Sequence, residues 1–214
     1  MGNKAHCDPG KTYDRGYQMR GRRQRIVCHA FHDASHEIFD LCSDIEDTLN
    51  SDQALICKDD HAARVVAAPF GGQRYVIKEY RPRSWPKAIR RAWGRSRAEI
   101  AWFKAMLLLQ CGIPIGSPVA WREDRTFGFC LRSYFIAHQV TGLTARQYLQ
   151  DPGLSQDALQ HALNQIVHSL QQMHGQGITY GDTKDTNILF ADGQIAWVDY
   201  DAVSRCRTQF FLKH

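Results

Sequence analysis

Apolar residues recur along the chain with two periods, and the changes of period mark out the elements. Over residues 32–49, Ile38, Leu41, Cys42, Ile45 and Leu49 return at three- and four-residue spacing. That spacing predicts an amphipathic helix, with Asp33 or Ser35 as its cap. Three strand-length runs follow, at 54–57, 64–68 and 73–80. Lys58-Asp59-Asp60-His61 reads as the first turn between them and Gly71-Gly72 as the second, so the three form an antiparallel meander. Residues 86–110 return to helical spacing, with Ile100, Trp102, Phe103, Met106, Leu107 and Leu109 on a broad apolar face that Gly112 ends.

Pro114 and Pro118 predict an extended connector, and residues 126–139, rich in aromatic and β-branched side chains, read as two strands or one bent pair. A short helix is expected over 144–149 and a strong one over 155–174, where apolar residues from Ala158 to Met173 keep three- and four-residue spacing. Gly175 and Gly177 end it. A polar loop, a strand at 188–190, an Ala-Asp-Gly turn and a strand at 195–198 complete the pattern. There is no internal repeat.

Composition places the chain among globular proteins. Its 214 residues are 43% hydrophobic and 23% charged, enough for one compact domain or two small lobes. The longest apolar run, residues 105–109, falls far short of the ~18 residues of a membrane-spanning helix. The N-terminus lacks the apolar stretch of a signal peptide, and His6 stands where myristoylation wants Ser or Thr. Seven scattered cysteines with no Cys-x-x-Cys pair read as reduced, mostly core residues of a cytosolic protein.

The net charge of +5 is unevenly placed. Residues 81–97 carry seven basic side chains and no acid, residues 1–25 carry seven against two acids, and the rest sums to −7. The first 25 residues are expected to form a poorly ordered basic tail. The run at 81–97, with Trp85 and Trp93, suits an anionic membrane surface or a phosphorylated partner. It equally suits a solvated loop leading into a helix. No aromatic-basic sheet motif or helix-turn-helix points to nucleic acid. Cys28, His29, His32 and His36 match no zinc-binding pattern.

The chemistry concentrates after the long helix. A polar loop offers Asp182, Lys184 and Asn187 at positions n, n+2 and n+5, and Asp199 closes the following hairpin. Phosphoryl transfer needs such a set: a carboxylate to orient and deprotonate a hydroxyl, oxygen ligands for Mg²⁺, and a cation near the moving phosphoryl group. Upstream, Tyr75-Val-Ile-Lys78 puts a lysine in an apolar strand ahead of a helix carrying Glu99. Glu79 points to the opposite face of that strand.

Asp182-x-Lys184-x-x-Asn187 followed by Val-Asp199-Tyr resembles the catalytic loop and metal-binding Asp of the protein-kinase-like fold. The resemblance implies an α+β, two-lobed chain with an antiparallel-sheet N-lobe and a small, shortened helical C-lobe. Its expected organisation is a basic tail and helix extension over 1–53, an N-lobe over 54–140 and a C-lobe over 141–214. It also implies ATP and Mg²⁺ as cofactors, with Asp182 as base, Lys184 as phosphate contact, Asn187 and Asp199 as metal ligands, and Lys78 with Glu99 holding the nucleotide.

Three further stretches are similar to the Kdo/WaaP family of bacterial lipopolysaccharide core kinases. These are Val-Ile-Lys78-Glu-Tyr-Arg-Pro-Arg, then Arg-Ala-Glu99-Ile-Ala-Trp-Phe with Gly-Ile-Pro-Ile-Gly-Ser-Pro, and the Tyr-Gly-Asp182 loop with Val-Asp199-Tyr-Asp. That similarity covers about residues 54–204. It implies phosphorylation of an inner-core sugar hydroxyl at the cytoplasmic face of the inner membrane, with lipopolysaccharide core or a similar anionic glycolipid as acceptor.

The chain also departs from the wider kinase pattern. No Gly-x-Gly-x-x-Gly precedes Lys78; Lys58-Asp59-Asp60-His61-Ala62 stands there. Tyr180 replaces the loop's usual His and Gly181 its Arg, so control by a phosphorylated activation loop is not expected. Only 13 residues follow Asp201, which argues against a peptide groove. Asp201 suits a second Mg²⁺ or a turn cap equally, and Asp185 reads as a solvated loop residue. Two alternatives stay open: a pseudokinase binding a membrane or partner without turnover, and a kinase for another small-molecule or protein acceptor.

Overall fold

In the computed structural model, the described residues are 16–20, 24–30, 36–81, 94–127 and 129–205. Residues 1–15 and most of the basic run, including Trp85 and Trp93, lie outside them, as do Cys7 and Cys206. The chain divides into two compact units. Of the described residues, one unit draws on those within 16–103 and 117–139, the other on those within 104–116 and 140–205.

The first unit is built on a seven-stranded antiparallel sheet. Its strands are β1 (Gly16–Arg20), β2 (Gln24–Ala30), β3 (Leu55–Asp59), β4 (Ala63–Phe70), β5 (Gln73–Tyr80), β6 (Pro118–Thr126) and β7 (Phe129–His138), in the order β1-β2-β6-β7-β5-β4-β3. The expected meander is β3–β4–β5. Its second turn is the two-residue Gly71-Gly72 loop, with positive φ at both positions, and it pairs Phe70 with Gln73.

Two helices, α1 (His36–Ser43) and α2 (Ile45–Leu49), cover one face of the sheet. Their Ile38, Leu41, Ile45 and Leu49 pack with Val66, Ile77 and Ile136 in one buried cluster. The opposite face meets the start of α3 (Arg97–Gln110): the Ala98 N–H approaches Ser133 Oγ at 3.4 Å, and the Arg97 guanidinium lies 4.4 Å from the Tyr80 ring centroid.

Three expectations need correction. The first is the basic tail: residues 16–20 and 24–30 are strands, with Gly16 paired to His29 and Gln24 to Thr126. They find a partner because the segment after Pro118 is not merely a connector. It continues as β6, whose four consecutive charged residues, Arg122 to Arg125, mask the strand pattern and are accommodated by in-strand ion pairs, Arg122 Nε to Asp124 Oδ1 at 2.7 Å and Arg125 Nε to Glu123 Oε2 at 2.6 Å.

The second correction is the single helix over 32–49, which breaks at Asp44. The buried Arg122 guanidinium donates to the Cys42 carbonyl and, at 3.4 Å, to that of Ser43, which draws the helix end onto the sheet. The third concerns the cysteines. Among the described ones, all free, only Cys28 and Cys42 are buried, while Cys57 is exposed on β3 and Cys111 and Cys130 are intermediate.

The second unit carries two small sheets and the long helix. β8 (Leu143–Thr144), β10 (Ile188–Ala191) and β11 (Gln194–Trp197) form one sheet; β9 (Ile178–Tyr180) and β12 (Val203–Arg205) form the other. Thr144 caps α4 (Ala145–Leu149) through a reciprocal pair with Gln147, and Ser155 caps α5 (Gln156–Gly175). Gly142 is dictated by close approach: a Cβ there would stand 2.2 Å from the Phe190 carbonyl oxygen. Met173, Ile178 and Trp197 are fully buried in this unit.

Leu41 tests whether α1 is integral to the sheet unit. It is fully buried, so Leu41→Ala is expected to cost about 2–5 kcal/mol in urea unfolding of the full chain. A cost below about 0.5 kcal/mol would mean that α1 is not packed there. Thiol labelling gives a second check. A maleimide at neutral pH should modify Cys57 in the native chain and reach Cys28 and Cys42 only after denaturation. Burial pushes the Cys130 thiol up to about 12, so it too should label slowly.

Candidate active site

The loop after α5 is shaped by its backbone before any side chain acts. Gly177, at φ 69°, turns the chain out of the helix into β9. The Gly181 N–H then donates to the Ala202 carbonyl at 3.0 Å, tying the loop to the segment that follows Asp199. Residues Asp185–Asn187 form a single 3₁₀ turn that leads into β10.

Within this loop three of the expected residues meet. Lys184 Nζ lies 2.8 Å from Asp182 Oδ1 and 3.1 Å from Oδ2. Asn187 Nδ2 donates to the Asp182 carbonyl at 2.9 Å and to Oδ2 at 3.3 Å. Asp182 is half-buried, while Lys184 is exposed and its ammonium is held protonated by the Asp182 carboxylate. Because Asn187 spends its N–H groups on Asp182, its carbonyl oxygen is the atom left to act as a ligand.

Asp199 joins them through the backbone. The Val198 N–H donates to the Asn187 carbonyl at 2.9 Å. Asp199 itself adopts φ 66° and ψ 78°, a left-handed conformation that Asp tolerates better than most residues but still at a cost. Tyr180 holds it there: its hydroxyl donates to the Asp199 carbonyl at 2.8 Å and to the Val198 carbonyl. Burial, and after it the Asp199 carboxylate, raises the Tyr180 phenol above its ordinary range, so it remains a donor. Two further contacts fix the same segment. Tyr200 OH donates to the Gly116 carbonyl at 3.1 Å, and Lys104 Nζ donates to the Asp201 carbonyl.

Two residues gain partners that the sequence did not show. Asp185 is not simply solvated: Arg146 grips it with Nε at 2.7 Å and Nη2 at 3.3 Å, which holds its carboxyl below the usual range. The Asp201 N–H donates to Asp199 Oδ1 at 3.4 Å, so the side chain that caps this turn is that of Asp199. Sequence reasoning passed over Lys104 and Arg146, and marked Tyr180 only as the residue in place of the loop's usual His.

Lys78 and Glu99 belong to the sheet unit. Lys78 is half-buried on β5, 5.3 Å from the Tyr80 ring centroid. Val76, Lys78 and Tyr80 share the face that α3 approaches, so Glu99 is carried on the same side of the sheet. Glu99 pairs with Arg95 at 3.5 Å, and its carboxyl is raised first by burial and then by the neighbouring Glu123. Glu79, on the opposite face, is buried and paired with Arg81 at 3.0 Å.

A hard divalent cation suits the loop's donors. Asp199 supplies a carboxylate and Asn187 a carboxamide oxygen, the oxygen chemistry that Mg²⁺ takes from a protein when phosphates and water complete its shell. Among the described residues no group of three His, Cys, Asp or Glu offers a self-sufficient cage.

The structure of WaaP in complex with acyl carrier protein superposes with a TM-score of 0.51 over 70% of this chain and 61% of that one, at 16% identity. The fold is protein-kinase-like. The chain spans less than two thirds of that neighbour. By sequence, Phototropin-1A and Phototropin-1B of Oryza sativa subsp. japonica are each 40% identical over 62 residues, 28% of this chain and 7% of theirs. No family model matches. In kinase-like terms, the Asp182 loop and Asp199 lie in one unit and Lys78 with Glu99 in the other.

The Tyr180 hydroxyl gives the sharpest structural test. Tyr180→Phe leaves two carbonyls without their donor and should destabilise the chain by about 1–3 kcal/mol in urea unfolding. An unchanged midpoint would show that the hydroxyl does not hold Asp199.

Proposed function

We propose that the chain is an ATP- and Mg²⁺-dependent phosphotransferase whose acceptor is an alcohol. The observation that carries this is the convergence of Lys184 and Asn187 on the Asp182 carboxylate beside a backbone-fixed Asp199. A polar loop without chemical duty has little reason to hold a left-handed Asp with a buried tyrosine hydroxyl.

In this reading Asp182 accepts the proton of the acceptor hydroxyl as its oxygen bonds to the γ-phosphorus and the bond to the β-phosphate oxygen breaks. Lys184 offsets the charge that gathers on the transferring group. Lys78 contacts the nucleotide phosphates. Asn187 and Asp199 would hold Mg²⁺, which when bound neutralises phosphate charge.

For the acceptor we propose a sugar hydroxyl of the lipopolysaccharide inner core, met at the cytoplasmic face of the inner membrane by a peripherally attached protein. The motif similarity over about residues 54–204 supports this choice. Among the described residues no helix is long and apolar enough to cross a membrane. The rival reading, a pseudokinase that binds a membrane or partner without turnover, draws on the turn that stands where a glycine-rich loop is usual.

The test is transfer of labelled γ-phosphate from Mg-ATP to purified lipopolysaccharide core. Asp182→Asn should lower turnover by about 10²–10⁴-fold while nucleotide binding survives. Asp199→Asn should in addition weaken Mg²⁺-dependent nucleotide binding. Turnover undiminished in Asp182→Asn removes Asp182 from the role of base. Label on another acceptor only would keep the enzyme class and discard the sugar.

A further inference from the structure

The turn between β3 and β4 holds a set of anion donors. Asp60 Oδ1 accepts from the N–H groups of Ala62 at 2.7 Å and Ala63 at 2.8 Å, while Lys58 Nζ stands 3.1 Å from Asp60 Oδ2. The turn is fastened to the sheet. Arg81 N–H and Arg97 Nη1 both donate to the Ala62 carbonyl, at 3.1 and 2.8 Å, and the Asp60 N–H donates to the Ala63 carbonyl at 2.9 Å. The two amides therefore point in fixed directions, as in the backbone concavities that bind phosphate.

Register decides where this set lies. Lys58 pairs with Val65, and Val65 pairs with Lys78. Direct cross-strand partners share a face, so Lys58 and Lys78 stand on one side of the sheet in one row, with Cα atoms about 10 Å apart. Two lysines and two oriented amides make a site for a polyphosphate rather than for a single small anion. Its donors beside Lys58 are already taken by a tethered carboxylate.

We propose that Lys58 and the N–H groups of Ala62 and Ala63 form a second phosphate-binding element beside Lys78, and that Asp60 fills it as a built-in anion competing with the nucleotide's polyphosphate. This rests on the reading of Lys78 as a nucleotide-phosphate contact. Asp60 then sets nucleotide affinity. While it is seated, the polyphosphate is held from Lys78 alone on this sheet; when it is displaced, Lys58 and the two amides become available.

Calorimetric titration of the full chain with Mg-ATP, tripolyphosphate and adenosine tests this. Asp60→Ala should tighten ATP and tripolyphosphate by about tenfold and leave adenosine unchanged. Lys58→Met should erase that gain when it is combined with Asp60→Ala. Asp60→Asn keeps an acceptor for the turn amides but loses the charge. It should show a smaller gain that still depends on Lys58, and it decides the matter if Asp60→Ala does not fold. ATP binding that is no tighter in either Asp60 variant, or a gain that survives Lys58→Met, overturns the inference and leaves the nucleotide reading standing. Absence of ATP binding in every chain overturns both.

Discussion

The alternation of β5 is the constraint on which the sheet unit depends. Strand geometry sends successive side chains to opposite faces, and both faces of this strand are covered. Tyr75, Ile77 and Glu79 are buried on one side, while Val76, Lys78 and Tyr80 face α3 on the other. A slip of one residue would drive the Lys78 ammonium under α1 and α2 and expel Ile77, so no neighbouring register competes. The Gly71-Gly72 turn pins one flank of β5, and pairing with β7 from Tyr75 to Tyr80 pins the other. The position of Lys78 is thus settled by hydrophobic burial at its neighbours.

The same sheet carries buried charge, and among the described residues Glu79, Arg122 and Glu123 each have an ion-pair partner. Glu79 is paired with Arg81, Arg122 with Asp124, and Arg125 with Glu123. An unpaired charge at these depths would cost several kcal/mol, on the order given for broken buried pairs. Arg122 does more than satisfy Asp124. By donating to the Cys42 and Ser43 carbonyls it ends α1 at the place where the chain must bend along the sheet. In the second unit a hydroxyl takes the corresponding part. Tyr180 holds two consecutive carbonyls and so keeps Asp199 in a conformation that the residue would not choose alone.

What the sequence made legible was local. The β4–β5 hairpin announced itself by two glycines, and α5 by twenty residues of helical period between Ser155 and Gly175. The Asp182, Lys184 and Asn187 cluster could be read because all three lie within six positions of one another. What stayed hidden depends on distant partners. The charges of β6 disguise a strand until their ion pairs are known, and without β6 there is no reason to expect β2. The break at Asp44 comes from an arginine about eighty positions away. Asp185 looked solvated because Arg146, its partner, lies 39 positions earlier on another helix.

The compact turn at Asp60 is another case in which a long-range constraint decides what a local motif means. A glycine-rich loop is free to fold over a nucleotide but gives up much conformational entropy in doing so. Here Arg81, Arg97 and Asp60 supply that ordering from within the chain, through hydrogen bonds to the Ala62 carbonyl and to the Ala62 and Ala63 N–H groups. Glycine is therefore not required for the backbone N–H groups to point outward; an aspartate and two arginines achieve the same orientation. The cost moves from entropy to competition, since the residue that orders the amides also satisfies them. Missing glycines thus do not by themselves mark a chain unable to bind phosphate: orientation of the amides and occupancy of the amides are separate properties, and Asp60 links them.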